Sequence, residues 1–247
     1  MERDSHQIFL DERYADQQLM IRDPEVAAAG LRFIELTLKY KYSLNFSWLG
    51  RPIVQLPQDI LAIQELEWRV KPDLIIETGV AHGGSLILHA SILELIGSDG
   101  RVLGIDVDIR GQNRKAIEEH PLAKRIDMIE GSSTDEGVIR QVRDLSRDRR
   151  RVMVILDSHH THEHVSKELG LYSPLVSRGS YLIVLDTVIE DLPEDSYPDR
   201  AWGKGNNPKT AVWNFLKKNT RFAIDKDFEQ KMGITCAPDG FLKCLAD

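Results

Sequence analysis

Glycine-rich, acidic and histidine-rich stretches mark the places where this chain could do chemistry. The apolar run Leu74-Ile75-Ile76 ends in Glu77-Thr78-Gly79-Val80-Ala81-His82-Gly83-Gly84-Ser85. Glycines at a strand-to-helix turn let the backbone come close to a ligand. The helix start behind them offers free N–H groups. The turn lacks the Gly-Lys-Ser/Thr ending of a phosphate-gripping loop, because Ser85 follows Gly84 directly. It also fails the G-x-G-x-x-G pattern of a dinucleotide loop, since Ala81 takes the second glycine's place. Glu77 would repel a pyrophosphate and pair with a cationic amine. A second apolar run ends at Asp106, 22 residues after Gly84, where a carboxylate can accept both ribose hydroxyls. A third ends in Glu130-Gly131-Ser132-Ser133, whose small polar side chains suit an adenine edge or a helix cap equally. An adenosine, no phosphate grip and an acid facing an amine together point to S-adenosylmethionine. His82, inside the turn, packs or binds cofactor. Cofactor contacts are therefore expected from Glu77, Gly79, His82, Gly83, Gly84, Ser85, Asp106, Ser132 and Ser133.

Two further acids, Asp157 and Asp186, follow the apolar runs Val152–Leu156 and Tyr181–Leu185. Neighbouring strand ends of an open α/β sheet meet at one crevice. Two carboxylates there repel unless something pairs with them, and a divalent cation is the natural partner. Oxygen ligands favour Mg2+, Ca2+ or Mn2+, with Mg2+ the expected ion. Four of the eight histidines lie close behind Asp157: His159, His160, His162 and His164. No thiolate lies near them, so a Cys/His zinc site is not expected. Histidine titrates near neutrality and can take a hydroxyl proton. His159 is the first choice as general base and His162 the second. Trp48 and Trp202 suit stacking on a sugar or adenine face as well as core packing.

These residues need a scaffold of alternating strands and helices. Apolar runs at 74–76, 102–105, 126–129, 152–156 and 181–185 alternate with amphipathic segments at 85–96, 114–120, 136–145 and 163–176. Strands apolar throughout and separated by helices predict a parallel sheet covered on both faces, a doubly wound α/β fold. Residues 1–55 read as an N-terminal helical extension, with one helix opened by Pro24 and an aromatic, Gly- and Pro-marked segment at 45–52. Residues 56–247 read as the main domain, entered by a helix from Pro57 to about Pro72. Residues 187–208 predict a long functional loop. A helix opened by Pro208 and strands over 221–228 and 241–245 close the chain.

The chain has 247 residues, 42% apolar and 29% charged, which excludes a largely disordered protein. Its net charge of −7 argues against broad binding to nucleic acid or anionic membrane. The basic run Arg147–Arg151 is a local exception that reads as a solvated helix end. No apolar run approaches the roughly 20 residues that span a bilayer. The first 20 residues are polar and carry both charge signs, unlike a secretory signal. Two cysteines, Cys236 and Cys244, make no disulfide framework, so a cytoplasmic location is expected. A homo-oligomer is expected as well.

The stretches Trp48-Leu49-Gly50-Arg51-Pro52-Ile53, Lys71-Pro72-Asp73-Leu74-Ile75-Ile76-Glu77-Thr78-Gly79, Leu156-Asp157-Ser158-His159-His160-Thr161-His162, Leu185-Asp186-Thr187 and Trp202-Gly203-Lys204-Gly205-Asn206-Asn207-Pro208 resemble the cephalosporin hydroxylase / rhamnosyl O-methyltransferase family. The resemblance covers about residues 45–245. It implies a class I methyltransferase fold with a seven-stranded sheet whose last strand is antiparallel. It also implies a divalent metal held by strand-end carboxylates. Some members carry adjacent acids at the fifth strand, where this chain has Leu185 before Asp186. Thr187, water, Glu190 or Asp191 could fill the third place. The combined reading is an S-adenosylmethionine-dependent, metal-assisted O-methyltransferase acting on a hydroxyl of a sugar or glycosylated metabolite. The alternatives are an NAD(P)-dependent oxidoreductase and a non-catalytic accessory subunit on the same fold.

Overall fold

The computed structural model describes residues 4–247; residues 1–3, where the expected extension begins, lie outside the described residues. Asp4 caps α1 (Ser5–Arg22), and Asp23 caps α2 (Pro24–Leu38), whose first residue is Pro24. α1 buries no residue, and the sequence carries no apolar stripe there by which to foresee it. α2 presses its backbone against the C-terminal part of the chain: a Cβ on Gly30 would stand 2.0 Å from the Gly233 carbonyl oxygen. Next come β1 (Phe46–Trp48) and β2 (Arg51–Ile53), an antiparallel hairpin. Its two turn residues, Leu49 and Gly50, both have positive φ, the geometry that matches strand twist in a two-residue hairpin. Ile53 is fully buried in the main core, so the hairpin is continuous with the packing of the sheet.

The main sheet is built from β3 (Leu74–Thr78), β4 (Arg101–Asp106), β5 (Ile126–Glu130), β6 (Val152–Leu156), β7 (Tyr181–Val184), β8 (Phe222–Ile224) and β9 (Phe241–Cys244). Among the described residues seven strands run in the order β5-β4-β3-β6-β7-β9-β8, with β9 antiparallel to both neighbours and the first five parallel. This is the expected doubly wound sheet. The helices are α3 (Pro57–Val70), α4 (Gly84–Ile96), α5 (Gly111–Glu118), α6 (Glu136–Ser146), α7 (His162–Tyr172), α8 (Pro208–Leu216) and α9 (Lys226–Gln230). Side chains alternate across each strand. Ile75, Met153, Ile155 and Ile183 pack with α3 and α4 on one face. Leu74, Ile76, Val154 and Leu182 pack with α6, α7 and α8 on the other. The chain order reverses between β3 and β6, so their carboxyl ends open the crevice where ligands bind in such sheets.

Three local differences from the sequence reading have physical causes. The strand expected over 221–228 stops at Ile224, because the Asp225 side chain accepts from the Phe228 N–H and starts α9. The helix expected over 163–176 ends at Tyr172 and continues as a 3-10 turn, Ser173–Leu175, with Pro174 breaking the regular pattern. Residues 187–208 are held at their base. A 3-10 helix, Thr187–Asp191, buries Val188 and Ile189, and the Glu190 carboxylate accepts from the Gly205 N–H at 2.7 Å. No helix among the described residues is long and apolar enough to cross a membrane.

Candidate active site

The glycine turn after β3 is shaped by contacts that only glycine permits. Gly79 has φ +98°, and a Cβ there would stand 2.1 Å from the Asp157 carbonyl oxygen. The turn can therefore close against the end of β6 only without a side chain. A Cβ on Gly84 would meet the Pro52 carbonyl oxygen at 2.2 Å, so the hairpin sits directly on the start of α4. Arg51 braces the same turn, donating from Nε and Nη2 to the His82 carbonyl at 3.0 and 2.7 Å. Asn113 accepts from Arg51 at 3.2 Å and donates to the Ala81 carbonyl at 2.8 Å. Arg51 was visible in sequence only as part of a motif, and Asn113 carried no signal, because its partner is a backbone group 32 residues away.

Asp106 stands where β4 ends, as expected. Its Oδ2 accepts from the Val80 N–H at 2.8 Å and the Ala81 N–H at 3.3 Å, and its Oδ1 from the Asp108 N–H at 3.1 Å. With Ser132, Ser133 and Gly79 it lines a crevice of about 370 Å³. Gly79, His82, Gly84 and Ser85 line a smaller cleft of about 30 Å³ beside it, and Gly83 caps α4 behind them.

Glu77 corrects one expectation. Sequence reading placed its carboxylate against a ligand amine, but the alternation of β3 turns it inward, onto the face that carries Ile75. There it is fully buried, 3.4 Å from Nε2 of His89 on α4. Nδ1 of His89 bonds Glu67 of α3 on the other side. Burial alone would lower the His89 pKa, but the Glu67 carboxylate and then Glu77 outweigh it and raise it from 6.5 to about 10. The stabilisation linked to this proton is complete below the imidazole's ordinary pKa and lost as pH rises through the folded one. Thermal stability is therefore expected to fall from about pH 6.5 towards pH 10, and Glu67→Gln to move that loss to lower pH. Melting curves across this range check it; a flat profile in the parent contradicts it.

Asp157, His160 and Asp186 come together at the ends of β6 and β7, with one donor atom from each lying within 4.8 Å of the others. His160 Nε2 is 3.1 Å from Asp186 Oδ2. Burial, and then the Asp186 carboxylate, push Asp157 well above the usual carboxylate range. Two crowded carboxylates beside an imidazole suit a divalent cation, whose charge would reverse that shift. Asp186 itself has φ +57°, a left-handed conformation that is strained for a non-glycine residue and recurs at functional sites. The groups expected to complete the donor set are otherwise engaged. Thr187 is buried and donates to the Pro238 carbonyl, Glu190 holds Gly205, and Asp191 pairs with Lys209 at 2.6 Å. Of the described side chains, His160 is the one that stands beside the carboxylate pair.

The histidines separate once the helix start is built. His159 lines the crevice, its pKa lowered by burial first and then by His164 and His160. His162 is not brought there: its Nδ1 lies 2.7 Å from the Thr210 hydroxyl of α8, and its backbone N–H donates to Asn206. His164 lies 3.1 Å from both Ser133 and Ser158. Trp202 packs edge-on against His159 and His160, with centroids at 5.4 and 4.9 Å, and so anchors the 187–208 segment to the histidine wall of the crevice. Trp48 lies elsewhere, donating to Ser91 on α4 at 3.0 Å. Helical spacing could not tell these four histidines apart, because the chain enters α7 only at His162.

A seven-stranded sheet of this order, with a glycine turn after β3 and an acid after β4, defines the class I methyltransferase type of fold. The family model for rhamnosyl O-methyltransferase/CmcI matches residues 40–245, and the chain belongs to that family. It is 34% identical over 189 residues to the rhamnosyl O-methyltransferase of Mycobacterium bovis (strain BCG / Pasteur 1173P2), covering 74% of this chain and 72% of that one. It is 30% identical over 200 residues to the Mycobacterium leprae (strain TN) protein of the same name, covering 79% and 82%. Among solved structures it resembles CmcI with Mg and SAM at TM-score 0.57 and 19% identity, over 82% of this chain and 78% of that one. It also resembles a Bacillus cereus O-methyltransferase in complex with SAH, at TM-score 0.52 and 16% identity, over 79% and 81%. At these identities the two structures speak for the fold.

Proposed function

We propose that the chain transfers the methyl group of S-adenosylmethionine to a hydroxyl of a sugar or glycosylated metabolite, with the help of a divalent metal. The carrying observation is that an adenosine-type site and a carboxylate pair open into one crevice at the switch point between β3 and β6. The names of the mycobacterial relatives support a sugar hydroxyl, and CmcI solved with Mg and SAM supports the two cofactors. The glycine pattern of the turn speaks against a dinucleotide.

Asp106, Ser132 and Ser133 hold the nucleoside end, and the braced turn Gly79–Ser85 fixes the cofactor against β6. Asp157 and Asp186 would hold the cation. When bound, it supplies charge that anchors substrate oxygens and makes the attacking hydroxyl more acidic. His160, oriented by the Asp186 carboxylate as a neighbouring acid orients a catalytic imidazole, takes the hydroxyl proton. This places the base one residue beyond the first choice from sequence. His159 forms the crevice wall beside it, and His162 ties α7 to α8. Holding both reactants in line supplies much of the acceleration. The 187–208 segment, with Trp202 packed against the histidines, closes the site from water.

Residues 56–247 are the catalytic domain on this reading, and residues 1–55 an extension whose hairpin braces it. A cytoplasmic location and a homo-oligomer complete the proposal. The test is incubation with methyl-labelled S-adenosylmethionine, Mg2+ and a panel of rhamnosyl and other deoxysugar glycosides, followed by mass spectrometry. The expected product is a glycoside heavier by one labelled methyl group. Label appearing on amine, thiol or carboxyl acceptors and on no sugar would overturn the substrate class.

A further inference from the structure

Gln55 lies between β2 and α3 and is only 3% exposed. Neither its Nε2 nor its Oε1 has a hydrogen-bond partner. A buried amide with both ends unpaired is costly and rare unless it serves a ligand. The side chain lines the cleft of about 30 Å³ formed with Gly79, Gly84, Ser85 and Asp157. That cleft adjoins the larger crevice, with Val54, Gly79, Ala81 and Asp157 in the walls of both. Asp106, Ser132 and Ser133 line only the larger one.

We infer that Gln55 is a further cofactor-binding residue, whose amide receives the amino-acid end of S-adenosylmethionine. The inference rests on the function proposed above. A carboxamide offers a donor and an acceptor side by side. An α-amino carboxylate presents the complementary pair, an acceptor carboxylate and a donor ammonium on one carbon. The free N–H groups at the start of α4, where Ser85 stands, favour the carboxylate from the other side. Glu77, the acid that strand-end position suggested for the amine, is turned into the core against His89 and does not line the cleft. The amide of Gln55 takes over that task without adding charge.

The test is calorimetry with two ligands that share the nucleoside. S-adenosylhomocysteine carries the amino-acid end, and 5′-methylthioadenosine lacks it. Gln55→Leu is expected to weaken S-adenosylhomocysteine binding roughly tenfold or more, the scale of a lost hydrogen bond to a charged group. Binding of 5′-methylthioadenosine should be unchanged. Gln55→Met, which keeps the length of the side chain and removes both polar atoms, should give the same selective loss and serves if the leucine variant does not fold. Equal weakening of both ligands would make Gln55 a structural residue and overturn the inference, as would no weakening of either. A parent protein that binds neither ligand would overturn the cofactor reading itself.

Discussion

Replacing Asp186 with asparagine is expected to lower kcat by roughly 100-fold or more and to remove the response of activity to added Mg2+. Asparagine keeps the volume and tolerates the left-handed backbone at φ +57°, so the strand end should fold as before. What it removes is charge. In the parent, Asp157 is raised by burial and by the neighbouring Asp186 carboxylate, the repulsion that a cation would relieve. With one carboxylate gone, Asp157 has less reason to bind a cation and His160 loses the acid that orients it. Steady-state kinetics after exhaustive chelation and Mg2+ add-back, with circular dichroism as the folding control, check this. Activity unchanged by chelation and by Asp186→Asn would sink the metal-assisted mechanism while leaving the methyl transfer itself in place.

His160→Ala is expected to lower kcat by about 10²–10⁴-fold, the usual contribution of a positioned general base, with cofactor affinity nearly intact. Binding of Mn2+, followed by its paramagnetic resonance signal, should persist in this variant, because the two carboxylates remain. A loss of Mn2+ binding in step with kcat would instead make His160 a ligand of the metal. His159→Ala should cost less, since His159 forms the wall and does not contact Asp186. His162→Ala should act through the α7–α8 contact with Thr210 and so show mainly in stability. Near-parental kcat in His160→Ala would show that the proton leaves by another route.

The parallel strands were legible because β3, β6 and β7 are buried on both faces and therefore apolar along all of β6 and β7 and through the first three residues of β3. Their ends were legible too, since Asp106, Asp157 and Asp186 each interrupt such a run. How far each acid reaches past the covering helices was not. Glu77 and Asp106 share one face of the sheet, yet Glu77, level with Gly104, is still covered by α4, while Asp106 stands two residues farther along, beyond the last residue of β3 and at the crevice. The base among four clustered histidines depended on where α7 begins, and helix starts are set by local caps, here the Thr161 side chain accepting from the His164 N–H. The third member of the carboxylate cluster hinged on which of Thr187, Glu190 and Asp191 were already spent, and their partners Pro238, Gly205 and Lys209 lie 15 to 51 residues away. α1 escaped notice because a helix that buries nothing leaves no period in the sequence.

The cofactor is the claim on which the rest depends, and calorimetry of the full chain with S-adenosylhomocysteine and, separately, with NADH tests it most directly. S-adenosylhomocysteine is expected to bind in the micromolar range and NADH not at all, with the S-adenosylhomocysteine affinity reduced in Asp106→Ala. Binding of NADH with no binding of S-adenosylhomocysteine would contradict the account.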